Sequence, residues 1–167
     1  MKINSATSAQ IAASDASLST WLTANAGSGK TKVLIDRVAR LLLDGVQPEQ
    51  ILCLTYTKSA AAEMKNRLFD RLGKWAMLAD QELNLSLFET GIQRQLSTNE
   101  LKKARTLFAR AIEAPGGLKI QTIHAFCASL LRKFPLEAGI SPQFGELSER
   151  SQRDLYLRVL EIISKEK

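Results

Sequence analysis

Apolar positions recur along the chain with two periods, and each period marks a kind of element. Past Gly29, Val33, Leu34, Val38, Leu41 and Leu42 fall three or four residues apart, which predicts a helix with one apolar face. Asp44-Gly45 supplies its stop. Short apolar runs stand on either side of it: LSTWLTA at 18–24 and ILCLTY at 51–56 each suit a buried strand. A short loop holding Pro48 leads into the second run. Thr57 can cap a further helix through SAAAEMKNRLFDRL, with Gly73 as its expected end. Strand–helix–strand–helix implies parallel pairing and a right-handed crossover.

Residues 74–114 break that alternation and read as helical. Ser97-Thr98-Asn99-Glu100 has the form of a capping box opening the helix ELKKARTLFARAIEA, and APGG at 114–117 closes it. LKIQTI at 118–123 reads as a third strand and HAFCASLLRKF at 124–134 as a helix stopped by Pro135. Phe126 and Leu130 are expected in the core, and residues 147–167 form one more amphipathic helix. Residues 1–17, small and polar, offer few anchors. The fold class is therefore α/β, a parallel sheet flanked by helices.

Composition narrows the class without naming a function. At 167 residues, with 45% hydrophobic and 24% charged, the chain can bury one real core and is not disordered. No apolar run approaches the roughly 20 residues that span a bilayer, and the start MKINSATSAQIAAS has no hydrophobic block. The expectation is a cytoplasmic protein with no membrane partner. Cys53 and Cys127 show no disulfide framework. A net charge of +6 favours an acidic partner such as nucleic acid, or reflects ordinary solvated helix faces.

The chemistry concentrates in ANAGSGKT at 24–31. A polyphosphate needs many N–H donors converging on it, and only small residues let the backbone come that close. Ala24, Asn25, Ala26, Gly27, Ser28 and Gly29 would form the loop, with Gly27 and Gly29 giving the tight wrap. At the helix start, Lys30 would reach the β- and γ-phosphates, the Thr31 hydroxyl would hold Mg²⁺, and Lys32 follows. Lys30 and Thr31 are thus the candidate catalytic residues. The full pattern has glycine where this chain has Ala24, and a plain glycine-rich turn is the competing reading. Hydrolysis also needs a carboxylate at the end of a hydrophobic strand. The only run of that shape, KVLID, lies inside the helix after the loop, so a piece that binds nucleotide without splitting it is expected.

Beside that loop stand ILCLTYTKSAAAEMKNRL at 51–68 and IQTIHAFCASLLRKFPLEAGISPQF at 120–144. Together, over about residues 8–145, they resemble the start of a UvrD-like superfamily 1 DNA helicase, most of all the helicase–nuclease proteins of the AddA branch. The resemblance implies an incomplete RecA-like P-loop lobe that uses ATP and Mg²⁺. It implies a helical insertion at about 74–114, as in that branch, and a further helical region from about 147 to 167. Gln10 matches the glutamine that reads the adenine edge, or is merely exposed; Arg37 matches an arginine near the nucleotide, or lies on a solvated face.

Thr55, Tyr56, Thr57 and Lys58 match the motif that lines the single-strand DNA path. Tyr56 and Lys58 replace the usual phenylalanine and asparagine; Tyr56 would stack on a base or sit in the core. Thr122, Ile123, His124 and Ala125 match a motif usually written Thr-Phe-His-Ser, so one hydroxyl is missing. Thr122, His124 and Phe126 join the expected DNA contacts. His124 and Cys127 alone are too few ligands for a metal. Lys102, Lys103, Arg105 and Arg110 on the insertion would meet duplex DNA or water.

The implied parent acts on single- and double-stranded DNA in double-strand-break repair and recombination, beside a second, AddB-like subunit. Its acidic motif, second lobe and nuclease domain would follow Lys167. A small P-loop kinase and a nucleic-acid-binding adaptor with a degenerate loop are the rival readings.

Overall fold

The computed structural model describes residues 5–23, 25, 27 and 29–165, so the expected loop residues Ala24, Ala26 and Ser28 lie outside the described residues. The chain divides into two units, one ending at Ile123 and one beginning at His124. The first contains α1 (Ser5–Ala13), α2 (Lys30–Asp44), a 3₁₀ turn (Pro48–Gln50), β1 (Leu52–Thr55), α3 (Lys58–Met77), α4 (Asp80–Glu89), α5 (Thr98–Glu113) and β2 (Lys119–Thr122). Helix α6 (Ile123–Lys133) starts at the boundary, and α7 (Glu149–Lys165) follows in the second unit.

Local chemistry explains most of the boundaries. Helix α2 opens on Gly29 and stops at Gly45, both left-handed. Gly45 N–H donates to Leu42 O at 3.1 Å and Val46 N–H to Leu41 O at 3.0 Å, a Schellman pair that ends the helix. Thr57 caps α3 by accepting from Ala60 N–H at 3.1 Å. Ser97 and Glu100 form the expected reciprocal capping box at the start of α5.

The core of the first unit lies where α3, α4 and α5 meet. Leu68, Leu72, Trp75, Leu83 and Ala104 are all 0% exposed. Each such leucine contributes roughly 1.5–3 kcal/mol relative to leaving it in water. The Trp75 indole N–H donates to Ser86 Oγ at 2.8 Å, so its one polar atom is satisfied inside the core. Strands β1 and β2 pair in parallel, Leu52 opposite Lys119 and Thr55 opposite Thr122. In sequence, α3, α4 and α5 lie between these paired strands.

Four expectations are corrected. Residues 18–23 form no strand: Trp21 is 93% exposed, and Arg37 takes the Leu18 carbonyl at 2.6 Å. A strand needs a paired neighbour, and among the described residues only β1 and β2 pair. The run at 51–56 is half-buried, because Ile51 enters the core while Leu52 and Leu54 face outward. Gly73 does not end α3, which continues to Met77. One interior glycine costs about 1 kcal/mol, and the buried Leu72 and Trp75 beside it offset that. Leu130 is exposed and Phe126 only half-buried, so α6 does not bury the face its spacing suggested. Conversely, α1 forms where no element was expected.

Candidate functional site

The loop region is assembled from α1, the chain before the loop and the first turn of α2. Gly27 has φ 79° and Gly29 φ 88°, conformations that a side chain resists. Gly29 O accepts the first helical bond, from Val33 N–H at 3.0 Å. The backbone N–H groups of the first helical turn lie beyond the reach of helical acceptors, which makes this end of α2 electropositive. A Cβ at Gly29 would come within 2.9 Å of Gln10 Nε2, so the α1 amide rests directly against the loop. Among the described residues nothing lies within 4 Å of a Cβ at Gly27. Lys30 folds back over the loop, its Nζ donating to Asn25 O at 2.7 Å. Gln10, Asn25, Gly27, Gly29, Lys30 and Thr31 therefore share one neighbourhood.

Two other expected contacts are engaged elsewhere. Lys32 Nζ donates to Asp36 Oδ2 at 2.8 Å, within the same helix. Arg37 donates to the carbonyls of Asp15 and Leu18, tying down the chain before the loop. Asp36 is 2% exposed and also accepts from Arg71 on α3. Burial pulls the Lys32 ammonium below its ordinary pKa, Arg71 adds to that, and Glu89 opposes it. Burial likewise lowers Arg71, against the pull of Glu89. Asp15 is held below the usual carboxylate range by the Ser17 backbone N–H and hydroxyl, with Arg40 and Arg37 adding smaller pulls against desolvation. The sequence offered only the helical spacing of Asp36 from Lys32 as a hint of this charge cluster.

The second group sits at the carboxyl ends of the paired strands. Thr55 and Thr122 are register partners, and Thr122 is buried. Thr55 Oγ1 donates to Thr57 O at 3.0 Å, which shapes the turn into α3. Tyr56 is 85% exposed, so it is not a core residue, and Lys58 is exposed beside it. Ligands of open α/β sheets collect at such strand ends. In the second unit, His124 is exposed, and so is Cys127. Among the described residues no group of three His, Cys, Asp or Glu could hold a metal ion. No described helix is long and apolar enough to cross a membrane.

With both groups in view, the comparison with known families is decisive. The UvrD/REP helicase N-terminal domain model matches residues 5–167. The chain belongs to that family. The helicase domain is also similar to an ATP-dependent helicase/nuclease protein of Lactobacillus acidophilus, with 32% identity over 134 residues, 80% of this chain and 9% of that protein. The protein of the same name from Enterococcus faecalis is 30% identical over 131 residues, 78% of this chain and 9% of that protein. The one from Ligilactobacillus salivarius is 27% identical over 143 residues, 86% of this chain and 10% of that protein. The helicase domain thus spans about a tenth of the length of these relatives.

Proposed function

We propose that this helicase domain is the nucleotide-binding part of the first motor lobe of an ATP-dependent DNA helicase–nuclease. The observation that carries this is the pair of left-handed glycines opening onto the N-terminus of α2, with Lys30 folded over them and the Gln10 amide against Gly29. Close backbone approach, a cationic side chain and a helix N-terminus together suit a triphosphate. The residues fit ATP: loop amides and Lys30 would hold the phosphates, Gln10 the base, and the Thr31 hydroxyl a Mg²⁺ ion. That ion, when bound, neutralises phosphate charge.

Thr55, Tyr56, Thr57, Lys58 and Thr122 form the DNA-facing edge in this reading. The exposed Tyr56 ring offers a stacking surface and Lys58 a phosphate contact. In the second unit, His124 and Phe126 are the further DNA-contact residues of this reading. Helices α4 and α5 are the branch-specific insertion. The full enzyme would act in the cytoplasm on single- and double-stranded DNA in break repair and recombination, beside an AddB-like partner.

Both described strands end in threonine, and Asp36 is spent on an ion-paired cluster, so neither strand end nor Asp36 supplies the carboxylate that would organise an attacking water. The chain is expected to bind ATP and not turn it over. Titration with a fluorescent ATP analogue tests this. Lys30→Ala should weaken binding at least about tenfold, roughly the loss of one charge-assisted phosphate contact. Equal binding by the variant, or turnover well above it, contradicts the reading. Absence of binding in the unaltered chain would favour the adaptor.

A further inference from the structure

The nine-residue helix α1 is too short to persist alone, since isolated helices under about 12–15 residues are marginal. Its place is set from outside by Arg40 on α2, while Arg37, three residues earlier, holds the chain that follows α1. Arg37 donates to the carbonyls of Asp15 and Leu18. Arg40 Nη1 donates to Ile11 O at 3.2 Å and to Ser14 Oγ at 3.0 Å, and its Nη2 lies 3.7 Å from the Asp15 carboxylate. Ser14, fully buried, donates in turn to Ile11 O at 2.8 Å. Arg40 thus clasps the carbonyl end of α1, where the helix dipole is negative, and Arg37 holds the chain that follows it.

The loop after α4 supports the clasp. Gly91 has φ 102°, and a Cβ there would meet Ile11 Cγ2 at 2.8 Å and Arg40 Nη1 at 2.9 Å. Only glycine leaves room for both the arginine and the end of α1. One residue before Ile11 stands Gln10, whose Nε2 lies 2.9 Å from the Cβ position of Gly29. The clasp on α2 and the amide against the loop are therefore two ends of one short connection.

We propose that Arg40 is a positioning residue for base selection: with Gly91 behind it, it holds α1 so that the Gln10 amide selects a 6-amino purine over a 6-oxo purine in the nucleotide bound by residues 24–31. This rests on the nucleotide reading of that loop. A side-chain amide sets an N–H donor beside an oxygen acceptor: the N–H donates to N7 of adenine and the oxygen accepts from N6–H, whereas guanine presents two acceptors there and leaves the amide oxygen unpaired. Selection of this kind requires the amide to be held before the ligand arrives, because ordering it at binding costs affinity.

The test is the dissociation constant of ATP, GTP and inorganic tripolyphosphate, each with Mg²⁺, for the chain and for Arg40→Ala, Gln10→Ala and the double variant. The unaltered chain should prefer ATP over GTP by about tenfold or more. Arg40→Ala should cut that ratio to about twofold while tripolyphosphate binding changes by less than about twofold. Gln10→Ala should do the same, and the double variant should lose no more than either. A general weakening of the fold would lower all three ligands together, so the ratio isolates positioning. If Gln10→Ala loses the preference and Arg40→Ala keeps it, Arg40 has no such role and the nucleotide reading stands. If Gln10→Ala keeps it, base reading by Gln10 is wrong and this inference goes with it. If the unaltered chain binds none of the three, the nucleotide reading itself fails. Should Arg40→Ala not fold, Arg40→Met keeps the aliphatic stem and takes its place; failure of both to fold would assign Arg40 to the core and overturn the proposal.

Discussion

At the scale of single residues, the most consequential side chain away from the loop is Asp36. It sits almost fully buried between Lys32 and Arg71 and joins the helix that carries the loop to α3. Removing a buried partner leaves its counter-charges uncompensated, so Asp36→Ala should cost about 2–3 kcal/mol, the lower range because Lys32 and Arg71 both reach solvent. Replacing Asp36 and Arg71 together by leucine should recover most of that. Urea midpoints decide it: a single variant within about 0.5 kcal/mol of the parent would make the pair an ordinary surface contact. Asp36 shows how residue chemistry was only partly legible. Its place inside a helix was clear from the spacing of Val33, Leu34 and Val38, which correctly excluded it as a strand-end carboxylate. Its partner Arg71 lies 35 residues away, and no local pattern links them. Trp21 misled in the opposite direction, since an aromatic in a short apolar run suggests burial only where a neighbour exists to cover it.

At the scale of elements, the helices were readable where their ends carry explicit chemistry. Gly45, Thr57 and the Ser97–Glu100 box each act as written in the sequence. Gly73 did not stop its helix, because a glycine stop needs a left-handed residue and packing on either side held Gly73 helical. Helix α1 has no apolar period, because its residues are small; only its alanine content hints at a helix. The α5 box makes a pH prediction. Glu100 accepts from Arg94 at 2.5 Å and from the Ser97 N–H and hydroxyl at 2.8 Å, which hold its carboxyl down to about 2. Its folded pKa lies below the ordinary 4.5, so its stabilisation is complete above that value and is lost as pH falls through about 2. The melting temperature of the parent should exceed that of Glu100→Gln near neutral pH, and the gap should close toward pH 2. A gap that ignores pH would mean that the box acts through shape alone.

At the scale of the whole molecule, the chain joins two arrangements that its sequence placed in order but could not place in space. Strand register sets Thr55 beside Thr122, bringing together motifs 67 residues apart. Among the described residues β1 and β2 are the only strands; the apolar runs placed the parallel pairing between 18–24 and 51–56 instead. The contact of Gln10 with Gly29 was legible only through the family resemblance, since it depends on Arg40 gripping a carbonyl of a helix that has no pattern of its own. The central claim is that residues 24–31 close around a triphosphate. A crystal structure with a non-hydrolysable ATP analogue and Mg²⁺ tests it most directly. The account predicts phosphate density between Gly27 and Gly29, and Lys30 Nζ moved from Asn25 O onto the phosphates. An empty loop under saturating analogue, with Lys30 still on the Asn25 carbonyl, would contradict it.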